Sequence, residues 1–224
     1  MALSGTGTRW MSALRHSLAT VVMVGVVLYV LIDVVLQFLP PHYSPISDAE
    51  SNLAVGPYGW IMNVNFLGRA LFCIAAVAAI ALAYRALLPP RRDGVLGVGL
   101  GLFLVGGASS AVLAFFPTDV SAAHASTLET STTVGAIHLA VATAGFVSAL
   151  IAILVLTIWL RVNRFLPQAL PWAVAFAALT LTGLLAVVAA SIWAPGVVGL
   201  AERLALVGIL GWTWCVSAGI RRLA

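Results

Sequence analysis

The chain has 224 residues, of which 62% are hydrophobic and only 8% are charged. So few charges cannot cover the surface of a water-soluble globule, and short connections between the apolar runs leave no room for a separate soluble domain. The formal net charge of +4 comes from scattered arginines without any lysine, which excludes the clustered basic surface of a nucleic-acid-binding protein.

Six apolar runs are each long enough to cross the hydrocarbon core of a bilayer, which takes about 20 residues. In chain order they predict helices over about 18–39, 60–88, 95–116, 134–160, 170–194 and 200–220. The first run is longer than the apolar part of a signal peptide and lacks a small-x-small cleavage site after it, so we expect it to be retained. The sequence thus predicts an all-α polytopic membrane protein, a six-transmembrane-helix bundle forming one integral membrane domain over residues 1–224.

The arginines predict the orientation of the bundle, because short loops rich in positive charge stay in the cytoplasm. The arginines on one predicted side are Arg9, Arg15, Arg85, Arg91, Arg92, Arg161, Arg164, Arg221 and Arg222. The loops 42–59 and 117–133 on the other side contain none. We expect a multi-pass protein of the bacterial plasma membrane with both termini in the cytoplasm and these two loops facing outward.

Two charged residues lie inside predicted helices, at similar depths below their outer ends. These are Asp33 in the first helix and Arg69 in the second. A lone charge at the bilayer centre costs about 2.5–3.5 kcal/mol on insertion scales, so a pair would offset much of the penalty. We predict that Asp33 and Arg69 face inward and interact. The alternatives are a purely structural ion pair or an arginine that extends to the interface.

The outward loops contain signals for short helices. Ser47 and Glu50 in the first loop have the S-x-x-E spacing of a capping box, and Ser126 and Glu129 repeat it in the second. These signals predict short interfacial helices in both loops. Thr132 or Thr133 is expected to cap the fourth helix.

Three segments of the outward side carry a resemblance to a known family. They are Tyr43-Ser44-Pro45-Ile46-Ser47 and its continuation to Leu53, the turn Phe116-Pro117-Thr118-Asp119, and Gly135-Ala136-Ile137-His138. The chain resembles the bacterial membrane proteins grouped as domain of unknown function 998, over roughly residues 20–220 in topology. The resemblance implies a six-helix integral membrane protein without an assigned activity, with Ser44, Ser47, Asp119 and His138 as its polar signature.

The outward side also concentrates the residues that could perform chemistry. Asp119 and His138 are candidates for a catalytic acid–base pair, since histidine titrates near neutral pH. Candidate substrate-binding residues are Asp33, Arg69, Ser44, Ser47, Glu202 and Arg203. We assign no metal, because the weak candidate ligands His124, His138, Asp119 and Glu129 lack a diagnostic spacing.

No motif dictates a reaction, so the sequence leaves open whether the protein is an enzyme and identifies no cofactor. The leading hypothesis is binding or modification of a lipid or lipid-linked substrate in an outward polar pocket. The first alternative is a non-catalytic subunit that docks a membrane-protein partner or a second copy through small residues, such as Gly97 and Gly101. The second is a small-solute transporter, which the apolar inner halves of the last three helices disfavour.

Overall fold

The structure, a computed structural model, describes residues 4–40, 43–88, 92–120 and 130–223. In these ranges it contains six long α-helices and no strand. The helices are α1 (Ser4–Leu36), α2 (Gly59–Leu87), α3 (Gly94–Leu113), α4 (Thr133–Val162), α5 (Leu170–Trp193) and α6 (Val198–Arg221). Short 3-10 helices span Glu50–Ala54 in the first long loop and Pro195–Val197 before α6. The predicted all-α, six-helix architecture is confirmed.

All six helices are long and apolar enough to cross a membrane. Large apolar side chains remain on the outside of the bundle, for example Leu71, which is 68% exposed, and Ile192, which is 63% exposed. In water such a surface would be unfavourable, whereas in a bilayer it faces hydrocarbon chains. The protein is therefore an integral membrane protein that crosses the bilayer several times.

The helices form a ring in chain order, because each helix packs against the next and α6 returns to α1. α6 and α2 also contact each other across the ring and are the most buried spans. Trp212 of α6 lies at the centre, 1% exposed, where its ring meets Phe103 and its Nε1–H donates to the Thr157 hydroxyl at 2.8 Å. The buried indole thus satisfies its only donor inside the bundle.

The closest helix pair is α5 and α6, and glycine makes this approach possible. A Cβ atom on Gly183 would collide with the backbone of Ala205, and one on Gly208 would collide with the backbone of Thr180. Small residues at membrane helix interfaces let backbones come close enough for extensive van der Waals contact. Thus α5 holds α6 in place, and α6 carries two of the charged residues described below.

The observed helix ends differ from the predicted ones mainly at α1. The apolar-run rule finds only the part that crosses hydrocarbon, whereas α1 begins at Ser4, well before position 18. It ends at Leu36 rather than 39, because Pro40 follows and disfavours helical backbone just before it. α3 likewise ends at Leu113, short of 116, ahead of Pro117.

Polar side chains secure helix ends at the end of the bundle that carries the chain termini, which we call the inner end. Asp93 caps α3 by accepting from the Leu96 amide at 3.0 Å, and its other oxygen accepts from Trp159 Nε1–H at 2.7 Å. Arg15 donates to the Leu223 carbonyl at 3.3 Å beside His16, whose Nε2 lies 2.8 Å from the same oxygen. These contacts tie α3 to α4 and α1 to the end of α6.

Candidate functional site

The first long loop, residues 43–58, is fastened to the start of α6 by Arg203. The Nη1 group of Arg203 donates to the carbonyls of Pro45 at 3.0 Å, Asp48 at 3.1 Å and Gly199 at 3.2 Å. Its Nη2 group donates to the Tyr43 hydroxyl, and burial raises the pKa of that phenol well above its usual value. Gly199 permits this contact, because a Cβ there would collide with the Asp48 backbone. Arg203, predicted to bind substrate, therefore uses its donors to hold the loop.

The predicted substrate-binding serines also serve the loop itself. The Ser44 amide donates to Asp48 Oδ2 at 2.8 Å, and the Ser47 hydroxyl donates to Asp48 Oδ1 at 3.4 Å. The Ser44 hydroxyl accepts from the Ser47 amide at 3.5 Å. The three side chains close the turn that precedes the 3-10 helix.

The predicted capping box of Ser47 and Glu50 is wrong. The 3-10 helix begins at Glu50 after Ala49 and has no side-chain cap of its own. Instead, the Glu50 amide donates to Glu202 Oε2 on α6 at 2.7 Å, so the cap comes from another helix. Glu50, Leu53 and Ala54 are buried, so the 3-10 helix packs into the bundle. The second predicted capping box, Ser126 and Glu129, lies outside the described residues, whereas the Thr132 hydroxyl does cap α4 by accepting from the Gly135 amide at 2.9 Å.

The predicted pairing of Asp33 with Arg69 is wrong as well. Asp33 Oδ1 lies 4.0 Å from Arg203 Nη2, and Asp33 Oδ2 accepts from the side-chain Nε2 of Gln37 at 2.6 Å. The sequence paired Asp33 with Arg69 because both lie at similar depths below the outer ends of their helices. In the structure α6 packs beside α1, and this packing places Arg203 next to Asp33.

Arg69 instead faces Tyr29 and Glu50. The Tyr29 hydroxyl lies 2.8 Å from both carboxyl oxygens of Glu50 and accepts from Arg69 Nη1 at 3.5 Å. The guanidinium carbon of Arg69 lies 5.9 Å from the centre of the Tyr29 ring, a cation–π distance. Burial, reinforced by the nearby carboxylates of Asp33 and Glu202, raises the pKa of Glu50 to about 8. At neutral pH Glu50 is therefore mainly protonated.

A small cavity lies beneath this loop, between α2, α3, α4 and α6. Its volume is about 30 Å³, and one water needs about 10–15 Å³ on the same measure. The polar side chains that line it are those of Glu50, Ser51, Arg69, Ser109, His138 and Glu202. Phe66, Leu113 and Phe146 supply apolar walls, while Ala142 and Gly145 of α4 leave the space open.

His138 lines this cavity and has one ring nitrogen that no hydrogen bond within the described residues uses. Its Nδ1 lies 2.6 Å from the Phe116 carbonyl, which can only accept, so Nδ1 donates. In the neutral ring Nε2 is then an acceptor, and no hydrogen bond within the described residues uses it. His138 is only 4% exposed and lines the cavity, which is where Nε2 can find a partner.

Asp119 has a different role from His138, and the two do not hydrogen-bond to each other. Asp119 accepts from the amides of Ser131 at 2.8 Å and Thr132 at 2.9 Å and from the Thr132 hydroxyl at 2.7 Å. These bonds lower the pKa of Asp119. Its carboxylate therefore supports the start of α4 and does not act on the His138 ring as a direct hydrogen-bond partner.

The described residues contain no group of three or more histidine, cysteine, aspartate or glutamate side chains that could hold a metal ion. Of the weak metal-ligand candidates, His124 and Glu129 lie outside the described residues. His138 and Asp119 are engaged with Phe116 and Thr132 as described above.

Below Arg69 the surroundings become apolar. A second cavity of about 20 Å³ is lined by Arg69, Phe72, Cys73, Phe103, Gly106, Ala149, Ile209, Leu210 and Thr213. Arg69 lines both cavities and so marks the lower limit of the charged site. Among the lining residues, nothing continues a chain of charged groups toward the inner side.

The structure thus brings together Arg69, Glu202 and His138 from the predicted set and leaves Ser44, Ser47 and Asp119 in the loops. Sequence reasoning missed Tyr29 and assigned Glu50 to capping. Tyr29 stands one turn before Asp33 on α1, and that i, i+4 spacing is a signal that could have placed both on one helix face. Glu50 gave no such signal, because its burial depends on the fold of the loop.

Comparison with known proteins identifies a family for this chain. Residues 23–219 match the model of a family described as protein of unknown function, DUF998. No curated protein and no solved structure matches the chain. The family match covers most of the sequence, including every residue that lines the cavity. The chain is therefore a member of the DUF998 family of proteins of unknown function.

Proposed function

We propose that this protein binds the polar head group of a lipid or lipid-linked molecule in the cavity beneath the first outward loop. The observation that carries the proposal is the set of ionisable side chains, Arg69, Glu202 and His138, that converge on a cavity inside an apolar bundle. Buried charges in a membrane are costly, so they are retained where they bind a partner or a ligand.

Spare hydrogen-bonding capacity supports binding over a purely structural role. Arg69 donates one hydrogen bond, at 3.5 Å, within the described residues, although a guanidinium has five N–H groups. His138 Nε2 is unused there, and Glu202 Oε1 has no described donor. A purely structural cluster would be expected to use this capacity within the protein.

The apolar second cavity argues against a transport pathway. An ion or polar solute that left the site inward would pass Phe72, Phe103 and Leu210 before reaching the other side. Transporters instead place polar or interrupted helices at the bilayer midplane. The cavity is therefore best understood as a site that opens to one side of the membrane.

Native mass spectrometry of the purified protein tests the proposal. Wild type is expected to retain a defined lipid mass that is reduced in Arg69→Gln and in Ala142→Leu, which fills the cavity without changing any charge. Val147→Leu, at a position that is 48% exposed, is the matched control and is expected to retain the lipid. Equal lipid retention in all four proteins would overturn the proposal.

We also propose the orientation in the membrane. The arginine distribution supports a bacterial plasma-membrane protein with cytoplasmic termini and the cavity on the outer side. The test is labelling of single cysteines introduced by Val120→Cys, 52% exposed, and Val162→Cys, 74% exposed. An impermeant reagent should label only the former in intact cells. The opposite pattern would reverse the orientation.

Assembly with a second copy of the chain is a second candidate function. Gly97 and Gly101 of α3 lie on an exposed face with nothing within 4 Å of their Cβ positions, whereas Gly99 between them packs on Leu156. This G-x-x-x-G face allows close helix pairing. Gly97→Leu with Gly101→Leu is expected to convert a dimer to a monomer in detergent, and a wild-type monomer would contradict this candidate.

A further inference from the structure

We propose that the group entering the cavity is a primary ammonium, held by Glu202 and the Nε2 atom of His138. This inference rests on the proposed function and names the part of the ligand that the cavity selects. The ammonium can belong to an aminophospholipid head group or to a free small amine. Both present the same three N–H donors on a centre about the size of a water molecule.

Size limits what can enter. A cavity of about 30 Å³ holds roughly two waters. A phosphate group has five heavy atoms and a trimethylammonium group has four, so each is bulkier than a terminal ammonium. A terminal ammonium with its methylene fits, while the phosphate of such a lipid remains outside the cavity.

The available hydrogen-bond partners point to the same group. Glu202 keeps Oε1 open while its Oε2 accepts from the Glu50 amide, and His138 keeps Nε2 open while its Nδ1 donates to Phe116. The Ser109 hydroxyl donates to the Val105 carbonyl at 2.9 Å, so its oxygen can accept from the cavity. These three acceptors suit a ligand that brings N–H donors, because each donor can meet an acceptor that is not used within the described residues.

The charges around the cavity suit a ligand that carries both an ammonium and an anionic phosphate. Arg69 is the cation on the cavity wall, because Arg203 is committed to the loop carbonyls and Tyr43. Glu202 supplies a carboxyl group beside this guanidinium, whereas the Glu50 carboxyl group is mainly protonated at neutral pH. An ammonium can donate to the Glu202 carboxyl group, and the phosphate that accompanies it in a lipid head group is the counterpart of the Arg69 guanidinium.

The experiment uses the full-length protein in nanodiscs of defined lipid composition, with retained lipid counted by native mass spectrometry. Phosphatidylethanolamine is expected to be retained about tenfold or more over phosphatidylcholine, the ratio expected for one charge-assisted hydrogen bond. Phosphatidylglycerol, which has no ammonium, is expected to behave like phosphatidylcholine. Glu202→Gln should abolish the preference, and Asp33→Asn, which removes a nearby carboxyl group that does not line the cavity, should keep it.

Free ethanolamine distinguishes the two sources of the ammonium. If free ethanolamine displaces phosphatidylethanolamine or raises the melting temperature without lipid, the site accepts a free amine. If it does neither, the lipid is required.

Lipid retention without preference for the primary amine, or with preference for phosphatidylglycerol, would overturn this inference and leave the proposed function standing. No retained lipid of any kind would overturn the proposed function itself. A Glu202→Gln protein that fails to fold is replaced by Ser109→Val, which removes one acceptor and should weaken the preference.

Discussion

Both ends of this bundle bury charged residues, but they use them differently. At the inner end, Asp93 caps α3 and accepts from Trp159, and Arg15 and His16 meet the carbonyl of Leu223. At the outer end, Arg69, Glu202 and His138 surround a cavity with hydrogen-bonding capacity to spare. At the inner end the buried polar side chains bind groups at helix termini, whereas at the outer end they leave room for a ligand.

The outer end itself divides into a frame and a site. Arg203, with Tyr43, Asp33 and the loop carbonyls, is the frame that fixes the loop above the cavity. Arg69, Glu202 and His138 belong to the site beneath it. Variants of the frame should therefore affect stability most, and variants of the site should affect binding most.

The largest loss of stability is expected for Arg203→Leu. This change leaves the loop carbonyls of Pro45 and Asp48 without their donor and Asp33 without its ion-pair partner. Removing one member of a buried charged network costs about 3–5 kcal/mol. Thermal unfolding in detergent measures it. The melting temperature of Arg203→Lys should lie between those of wild type and Arg203→Leu, since lysine keeps the charge but lacks the planar fork of the guanidinium. A melting temperature equal to that of wild type would remove Arg203 from the frame.

The next effect is a pH dependence that comes from Glu50. Burial raises the folded-state pKa of Glu50 from 4.5 to about 8, so the folded protein keeps a proton that the unfolded chain loses. Stability should therefore fall as pH rises from about 4.5 to about 8, by about 2–4 kcal/mol. Glu50→Gln should flatten this dependence in melting curves recorded from pH 5 to pH 9. An unchanged slope in the variant would assign the dependence to another group.

A smaller loss is expected at the inner end for Asp93→Ala. The change removes the α3 cap and the acceptor of the Trp159 indole, at a cost of about 1–3 kcal/mol. Lipid retention should stay at the wild-type level, because Asp93 lies at the other end of the bundle from the cavity. Melting curves and native mass spectra of the same sample check both points. Loss of bound lipid at constant stability would break the contrast between the two ends.

The smallest effect is expected for Asp119→Asn. Hydrogen bonds from Thr132 and Ser131 lower the pKa of Asp119 in the folded protein. The stability that the carboxylate contributes is therefore present above its usual pKa of 3.8 and is lost as pH falls through the lower folded-state pKa. The variant should melt slightly below wild type at pH 6, and the difference should shrink as pH falls below 3.8. A large loss at pH 6 would give Asp119 a role beyond supporting the start of α4.

The sequence predicted the helices well, because apolar runs and prolines are local signals that lipid enforces. It predicted the inward-facing charges as a group but not their partners. Depth along α1 and α2 paired Asp33 with Arg69, whereas the packing of α6 against α1 supplied Arg203 instead. Spacing likewise assigned Glu50 to a capping box, although its side chain reaches Tyr29 on α1. Contacts between distant segments decided the site, and a single sequence does not display them.

The most direct test of the account is a crystal structure grown from a lipidic phase that contains phosphatidylethanolamine. The account predicts density for a head group in the cavity, with its terminal atom within hydrogen-bond distance of His138 Nε2 and Glu202 Oε1. It also predicts that no lipid enters the inner end near Asp93. An intact bundle whose outer cavity holds only water under these conditions would contradict the central claim.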